Sequence, residues 1–183
     1  MTGPGVITSW AFRASNAGPS TARLRIFHPT GTANGWKVAA ESADHLSPTG
    51  SAQVIPARIP VVAGDVLGLR TGTDGARTSY VTQTGDVIGT APGMDPQPGT
   101  TFTGDTNDFY RVNVTATVEP DADADGYGDE TQDQCPADAS TAGPCQADLS
   151  LTSSVDAQSA RVGDTLTYSL AVTNPSRRSR RPR

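Results

Sequence analysis

The chain has 183 residues, enough for one domain of ordinary size and a smaller segment beside it. It contains 19 Gly and 14 Pro, and aromatic side chains make up only 5% of it. This composition excludes a protein built from long Leu/Glu/Lys-rich helices and favours many short strands joined by turns. No run of residues approaches the ~20 apolar positions that a membrane-spanning helix needs.

Charge is distributed unevenly along the chain, whose formal net charge is −5. Residues 119–148 contain nine of the 19 acidic residues and neither Lys nor Arg, whereas residues 177–183 contain five Arg. Because the acidic stretch would repel phosphates, we expect no nucleic-acid partner. The Arg-rich end could contact anions, but we interpret it as a solvated or aberrant terminus.

Residues 1–118 are predicted to form an all-β domain. The clearest strand is 110–118, in which every even position is apolar and every odd position is polar. A period of two gives a strand one buried and one solvated face. The same reasoning predicts inward-facing residues in three other strands: Val6, Trp10 and Phe12; Leu24 and Ile26; Trp36 and Val38.

Further strands are predicted at 53–59, 65–70, 78–83 and 100–103, with Gly, Pro, Asn and Asp in most of the intervening turns. The segment 89–100 is rich in Pro and Gly and is predicted to be a long surface loop. About eight short strands separated by turns favour a jelly-roll-like or other antiparallel β-sandwich.

The sequence contains no nucleophile-elbow, zinc-protease, phosphate-loop or dinucleotide-binding motif, and its two histidines are isolated. We therefore expect no enzymatic activity. Some aromatic residues could line a sugar-binding face: Trp10, Trp36, Tyr80 and Tyr110. Strand alternation predicts that Trp10, Trp36 and Tyr110 face inward, which favours packing in the core. Of the four, only Tyr80 is not assigned to the core.

The acidic run that follows has the spacing of a calcium-binding loop. Carboxylates stand at its first, third and fifth positions and a glycine at the sixth, which is the pattern of EF-hand-type loops. Alternate residues of a tight turn can converge on one cation, and Gly126 permits that turn. The expected ligands are Asp121, Asp123, Asp125, the Tyr127 carbonyl, Asp129 (directly or through water) and Asp133.

The ligand that closes the calcium shell is not fixed by the pattern. Gln132 stands at the twelfth position, where a glutamate is usual. Glu130 and Asp133 are the other candidates. The competing interpretation of the whole run is an acidic, solvated linker without a cation.

The two cysteines, Cys135 and Cys145, flank a short segment beside the acidic run. A disulfide between them would close a loop of about 11 residues and contribute roughly 2–3 kcal/mol. The alternative is a pair of free thiols in a reducing compartment. If the disulfide forms, the compartment is oxidising. We therefore expect an exported protein, although Met1–Gly5 has no signal-peptide character, and we infer that the natural N-terminus is missing.

A short part of this region resembles a known repeat. The Asp-x-Asp-x-Asp-Gly-x-Gly-Asp motif followed by Cys-Pro is similar to a thrombospondin type 3 repeat of bacterial surface proteins, over residues 121–136. The matching residues are Asp121, Asp123, Asp125, Gly126, Asp129, Asp133, Cys135 and Pro136. The resemblance implies calcium binding and a role as an extracellular spacer.

The C-terminal segment, 147–183, is predicted to contain two strands, at 149–155 and 166–172. Its Gly-Asp-x-Leu-Thr-Tyr core resembles the opening of the immunoglobulin-like repeat catalogued as domain of unknown function 11, which is found on bacterial cell walls. Two strands cannot bury a core. We therefore expect a truncated fragment, produced by a natural end or a frameshift, followed by the Arg-rich tail.

These observations divide the chain into a β-sandwich (1–118), a calcium-binding linker with a disulfide (119–146) and an Ig-type fragment (147–183). The expected function is that of a monomeric, non-enzymatic, secreted or cell-surface module with a calcium-rigidified linker, structural or adhesive in role. Its partners would be calcium and a glycan or cell-surface protein.

Two other functions remain open. A lectin-like module would show an exposed aromatic or polar cluster on one face or on loops 71–78 and 89–108. A secreted hydrolase is the weaker alternative, and it would need a deep cleft around His28, His45 or Glu41.

Overall fold

The computed structural model describes residues 3–14, 16–72, 79–81, 84–147 and 149–174. These residues form strands and no helix, so the predicted all-β class is confirmed. In the same ranges there is no helix long and apolar enough to cross a membrane. The Arg-rich end and parts of the predicted 78–83 strand and 71–78 loop lie outside the described residues.

The strands follow one another with short connections. In chain order they are β1 (Gly5–Ala11), β2 (Ser20–Pro29), β3 (Gly35–Glu41), β4 (His45–Ser47), β5 (Ile55–Val61), β6 (Val66–Thr71), β7 (Ser79–Val81), β8 (Val87–Thr90), β9 (Thr101–Thr103), β10 (Asp105–Asp108), β11 (Tyr110–Val112), β12 (Thr115–Glu119), β13 (Ser150–Val155) and β14 (Tyr168–Thr173).

Two antiparallel sheets form the N-terminal sandwich. One has the order β12-β1-β5, and the other has the order β4-β2-β3-β9 with β6 also paired to β2. The core lies where the inner faces of these sheets meet and contains Ile7, Trp10, Phe12, Ala22, Leu24, Ile26, Ile59 and Val61. The predicted inward alternation of Leu24 and Ile26 is confirmed, since both are fully buried.

The first strand departs from simple alternation because it contains a bulge. The register of β1 with both neighbours shifts between Ile7 and Ser9. A bulge inserts one residue and moves every later side chain to the opposite face. As a result Ile7, and not Val6, joins Trp10 and Phe12 in the core cluster, although Val6 is also buried.

The predicted continuous strand at 110–118 is wrong, because the structure divides it into β11 and β12. The break falls at Asn113, whose side chain accepts a hydrogen bond from the backbone N–H of Arg13 (3.3 Å) and donates one to the carbonyl of Arg13 (2.8 Å). These bonds tie the break to the end of β1. The even positions are not uniformly inward either, since Tyr110 and Val118 are exposed while Glu119 is buried.

The chain divides into two compact units, Met1–Gly143 and Pro144–Arg183. The first unit therefore includes the acidic run as well as the sandwich. In the second unit β13 and β14 form the predicted antiparallel pair, with Leu151 opposite Val172 and Val155 opposite Tyr168. These apolar side chains are exposed.

Candidate metal centre

The acidic run begins where β12 ends and is shaped by hydrogen bonds from its own backbone to its carboxylates. Asp123 Oδ1 accepts from the N–H of Asp125 (3.2 Å), and Asp125 Oδ1 accepts from the N–H of Tyr127 (2.8 Å). Such Asx turns are a common way for aspartate to stabilise a tight turn. Gly126 has a φ of 85°, the left-handed conformation that a glycine adopts without strain.

The turns bring three of the predicted ligands together. Asp121, Asp123 and Asp125 each offer a carboxylate oxygen that lies within 4.8 Å of the other two. Two oxygens bound to one calcium at about 2.3–2.6 Å from the ion cannot be further apart than about 5 Å. The spacing therefore fits a single shared cation, and the half-buried position of all three limits competition from bulk water.

Several carboxylate oxygens of the acidic run are buried and have no hydrogen-bond partner within the ranges that the structure describes. Asp121 Oδ1, Asp123 Oδ2 and Asp133 Oδ2 are inaccessible to solvent and have no hydrogen-bond partner among the described residues. Asp133 as a whole is only 7% exposed. A buried charged oxygen without a donor is costly unless a cation compensates it. These carboxylates therefore suit a metal ion that prefers oxygen ligands.

The remaining predicted ligands are placed less closely. In the described part of the chain, the group of mutually close oxygens includes neither Asp129 nor Asp133. Asp129 Oδ1 accepts from the N–H of Ala122 (3.1 Å), and Asp133 Oδ1 accepts from the N–H of Cys135 (2.7 Å). Each of these two carboxylates thus keeps a second oxygen outside those bonds.

The side chain of Gln132 is engaged elsewhere. Its Nε2 donates to the carbonyl of Ala57 (2.8 Å), and its Oε1 accepts from the N–H of Gly128 (3.4 Å). Glu130 is exposed. Of the three candidates for the closing ligand, only Asp133 therefore presents a dry, unpaired oxygen.

Glu119 anchors the acidic run, although no motif or spacing in the sequence points to this residue. Its Oε1 accepts from the hydroxyls of Thr8 (2.9 Å) and Thr131 (2.7 Å). Its Oε2 accepts from the N–H groups of Thr131 (2.9 Å) and Glu130 (3.1 Å). Burial alone would raise the pKa of Glu119, but these hydrogen bonds outweigh it and hold the pKa below its usual value.

Other contacts hold the loop on β5. The guanidinium of Arg58 lies over the ring of Tyr127, 4.2 Å from its centroid, a cation–π distance. Gly128 is buried so closely that an added Cβ would approach Glu119 Oε2 to 2.5 Å. The acidic run is therefore packed against the sandwich, which the sequence pattern did not predict.

The cysteine prediction is confirmed, because Cys135 and Cys145 form a disulfide. Cys135 is buried and follows directly on the Asp133 turn, and the N–H of Gln134 donates to the carbonyl of Ala142 (3.1 Å). The cross-link therefore constrains the chain just after the carboxylate that could close the metal shell.

The residues that a hydrolase would need are dispersed. Glu41 is committed to Arg23 (2.6 Å) and Arg25 (3.0 Å), and His28 Nδ1 lies 2.7 Å from Asp65 Oδ1. Among the described residues no hydrogen bond joins His45 to Glu41, although both border a cavity of about 330 Å³. The structure thus shows no nucleophile–base pair at these positions.

Comparison of the chain with protein-family models, with curated proteins and with solved structures found no match. The resemblances to the thrombospondin type 3 repeat and to domain of unknown function 11 therefore remain predictions from short motifs.

Proposed function

We propose that this protein is a non-enzymatic calcium-binding module of an extracellular or cell-surface protein, with a structural or adhesive role. The observation that carries the proposal is the convergence of the Asp121, Asp123 and Asp125 carboxylates. Buried, unpaired oxygens on Asp121, Asp123 and Asp133 support it. In the bound state the ion would fix the acidic run on the sandwich and stiffen the segment that follows β12.

The donor set favours calcium over other common cations. The close group consists of carboxylates alone, whereas structural zinc sites use Cys and His. Magnesium demands near-ideal octahedral geometry and keeps several waters, but calcium accepts six to eight oxygens in irregular arrangements. The three close carboxylates would be joined by the Tyr127 carbonyl, by Asp129 directly or through water, and by Asp133 as the closing ligand.

The extracellular setting is supported by the disulfide. Disulfides persist in oxidising compartments and are rare in reducing ones. Calcium sites of extracellular modules bind with dissociation constants of about 10⁻⁴–10⁻³ M, so a test of the site must reach millimolar calcium.

Calorimetric titration of calcium into the oxidised, calcium-free full chain tests the proposal. We expect one site per chain and binding at least tenfold weaker to Asp123→Asn, whose amide oxygen can still bind calcium but carries no charge. The substitution keeps an acceptor for the Asp125 N–H but replaces the dry oxygen by an amide donor. Asp156→Asn, an equal charge change at an exposed position in the second unit, should bind as the wild type does. Binding to Asp123→Asn as tight as to the wild type, or no binding at millimolar calcium, would contradict the proposal.

A further inference from the structure

The outer face of the larger sheet, turned away from the core, has two chemically different ends. Residues opposite one another in an antiparallel pair lie on the same face. The register pairs Arg25 with Glu41 at one end, and Phe27 with Val38 further along β2. A bulge in the β2–β3 register between Ile26 and Phe27 separates the two ends. Trp36, which follows on this face, is directly opposite Phe102 of β9.

A groove lies over this face. Its volume is about 860 Å³, and its walls come from β2, β3 and β6 on one side and from β8 and β11 on the other. This volume is within the range of small-molecule and oligomer-binding clefts. The prediction that Trp36 and Tyr110 pack in the core is wrong, because both line this groove, while Trp10 is buried in the core as predicted.

The aromatic end of the groove is formed by three half-buried rings, those of Phe27, Trp36 and Phe102. The rings of Phe27 and Phe102 meet edge to face with centroids 5.8 Å apart. Gly68 makes room for the Phe27 ring, since a Cβ there would overlap it. Gly89 lies beside the indole of Trp36, where an added Cβ would be 3.5 Å from Nε1, so the backbone of β8 packs close to one part of that ring. Trp36 itself is only half-buried.

The arginines at the polar end of the groove form ion pairs with carboxylates. Arg25, with its side chain 4% exposed, pairs with Glu41 (3.0 Å) and with Asp95 (2.6 Å). Arg70 pairs with the same Asp95 (3.0 Å). Among the described residues Arg70 bonds Asp95 only through Nε, which leaves its terminal amino groups able to donate to a ligand.

The third arginine of the groove is paired as well. Arg111 Nη2 lies 2.9 Å from Asp86 Oδ1. Each of the three arginines that line the groove is therefore paired with a carboxylate. An ionic ligand would find no unmatched counter-charge and would have to break a pair, whereas hydroxyl groups can use the spare N–H donors and carboxylate lone pairs without doing so.

We propose that this groove binds an uncharged carbohydrate chain, with the apolar face of one sugar ring stacked on Trp36 and its hydroxyls bonded to the rim around Arg70 and Asp95. An aromatic ring with planar polar groups nearby matches a ligand that is apolar on its ring faces and polar at its edges. The groove shares no residue with the acidic run. The calcium proposal and this one can therefore fail independently.

A glycan array carrying uncharged and acidic oligosaccharides, probed with the full chain, gives the first test. We expect uncharged oligosaccharides to be bound, and Trp36→Ala to weaken that binding at least tenfold. Trp36→Tyr retains a stacking ring and should keep most of the affinity. Tyr168→Ala removes an exposed aromatic ring from the second unit and is the matched control.

Intrinsic fluorescence gives a readout that does not depend on the array. The chain has two tryptophans, of which Trp10 is 2% exposed and Trp36 lines the groove. A change in emission on adding the oligosaccharide that binds best should therefore disappear in Trp36→Tyr. Asp123→Asn should leave the titration unchanged.

Three results would overturn the carbohydrate proposal. The first is no binding of any uncharged oligosaccharide on the array. The second is a preference for acidic glycans. The third is binding that persists undiminished in a Trp36→Ala variant whose melting temperature equals that of the wild type.

Discussion

Removing the Glu119 carboxylate should detach the acidic run from the sandwich. Four hydrogen bonds end on this buried side chain, two from hydroxyls and two from backbone N–H groups. Glu119→Ala would leave the N–H groups of Glu130 and Thr131 without their acceptor. Each orphaned buried donor costs about 1–3 kcal/mol, and hydrogen bonds to a charged group contribute about 1.5–3 kcal/mol each. We expect Glu119→Ala to lower the free energy of unfolding by about 3–5 kcal/mol.

Glu119→Gln should lower the free energy of unfolding less, by about 1–2 kcal/mol. The amide oxygen of Gln can still accept from the two N–H groups, and the hydroxyls of Thr8 and Thr131 can rotate to accept from its NH₂ group. Urea unfolding followed by tryptophan fluorescence measures both losses, since Trp10 and Trp36 lie in the first unit. Glu130→Ala, at the neighbouring exposed residue, is the control. The reasoning is refuted if Glu119→Ala costs no more than that control.

The lowered pKa of Glu119 makes its stabilising effect dependent on pH. A carboxylate whose folded-state pKa lies below its ordinary value of about 4.3 stabilises the fold above that value. The contribution is lost as the pH falls toward the folded-state pKa. The difference in unfolding free energy between the wild type and Glu119→Gln should therefore be constant from pH 6 to 8 and shrink toward pH 3. A difference that grows on acidification would contradict the assignment.

Two further substitutions test the packing and the cross-link of the acidic run. Gly128→Ala places a Cβ 2.5 Å from Glu119 Oε2, so we expect the free energy of unfolding to fall by about 2 kcal/mol in the same urea assay. Gly18→Ala is the control, because a Cβ there meets nothing within 4 Å and should lower the free energy of unfolding far less. Replacing both Cys135 and Cys145 by Ser should cost about 2–3 kcal/mol under non-reducing conditions. Addition of a reductant should lower the wild type to the level of that variant and leave the variant unchanged.

Alternation and turn residues were enough to predict the sandwich. Leu24 and Ile26 could be placed in the core because β2 keeps a strict period of two between them. The predictions failed where a strand has a bulge or a break. The bulge near Thr8 and the side-chain bonds of Asn113 depend on partners about 100 residues away in sequence, which a local pattern does not contain.

The candidate metal centre could be predicted in part. The spacing of Asp121, Asp123 and Asp125 is a local property, and these are the carboxylates that the structure brings together. Glu119 could not be found in this way because it stands at an odd position of an alternating strand, where a solvated side chain is expected. Its burial follows from packing between the end of β12, Thr8 of β1 and the turn at Thr131.

The position of the groove could likewise not be predicted from local alternation. Alternation correctly placed Trp36 and Val38 on one face of β3, but it could not tell which face of that strand meets the other sheet. The bulge in the β2–β3 register puts Ala40 on the core side and Val38 with Phe27 on the outer side. For Trp36 the pattern of apolar residues therefore predicted core packing where the structure has a groove, whereas Val38 is fully buried as predicted.

Thermal unfolding of the oxidised full chain, with calcium and with chelator, tests the central claim most directly. Without a cation, each pair of carboxylates 4.8 Å apart repels by roughly 3 kcal/mol at an effective dielectric constant of about 20. Calcium at about 10 times its dissociation constant, a millimolar concentration for the affinity expected here, would stabilise the fold by about 1.4 kcal/mol. We predict a rise of roughly 5 °C in the melting temperature of the first unit that is mostly lost in Asp123→Asn and retained in Asp156→Asn. Equal melting temperatures of the wild type in millimolar calcium and in chelator would contradict a calcium site at this loop.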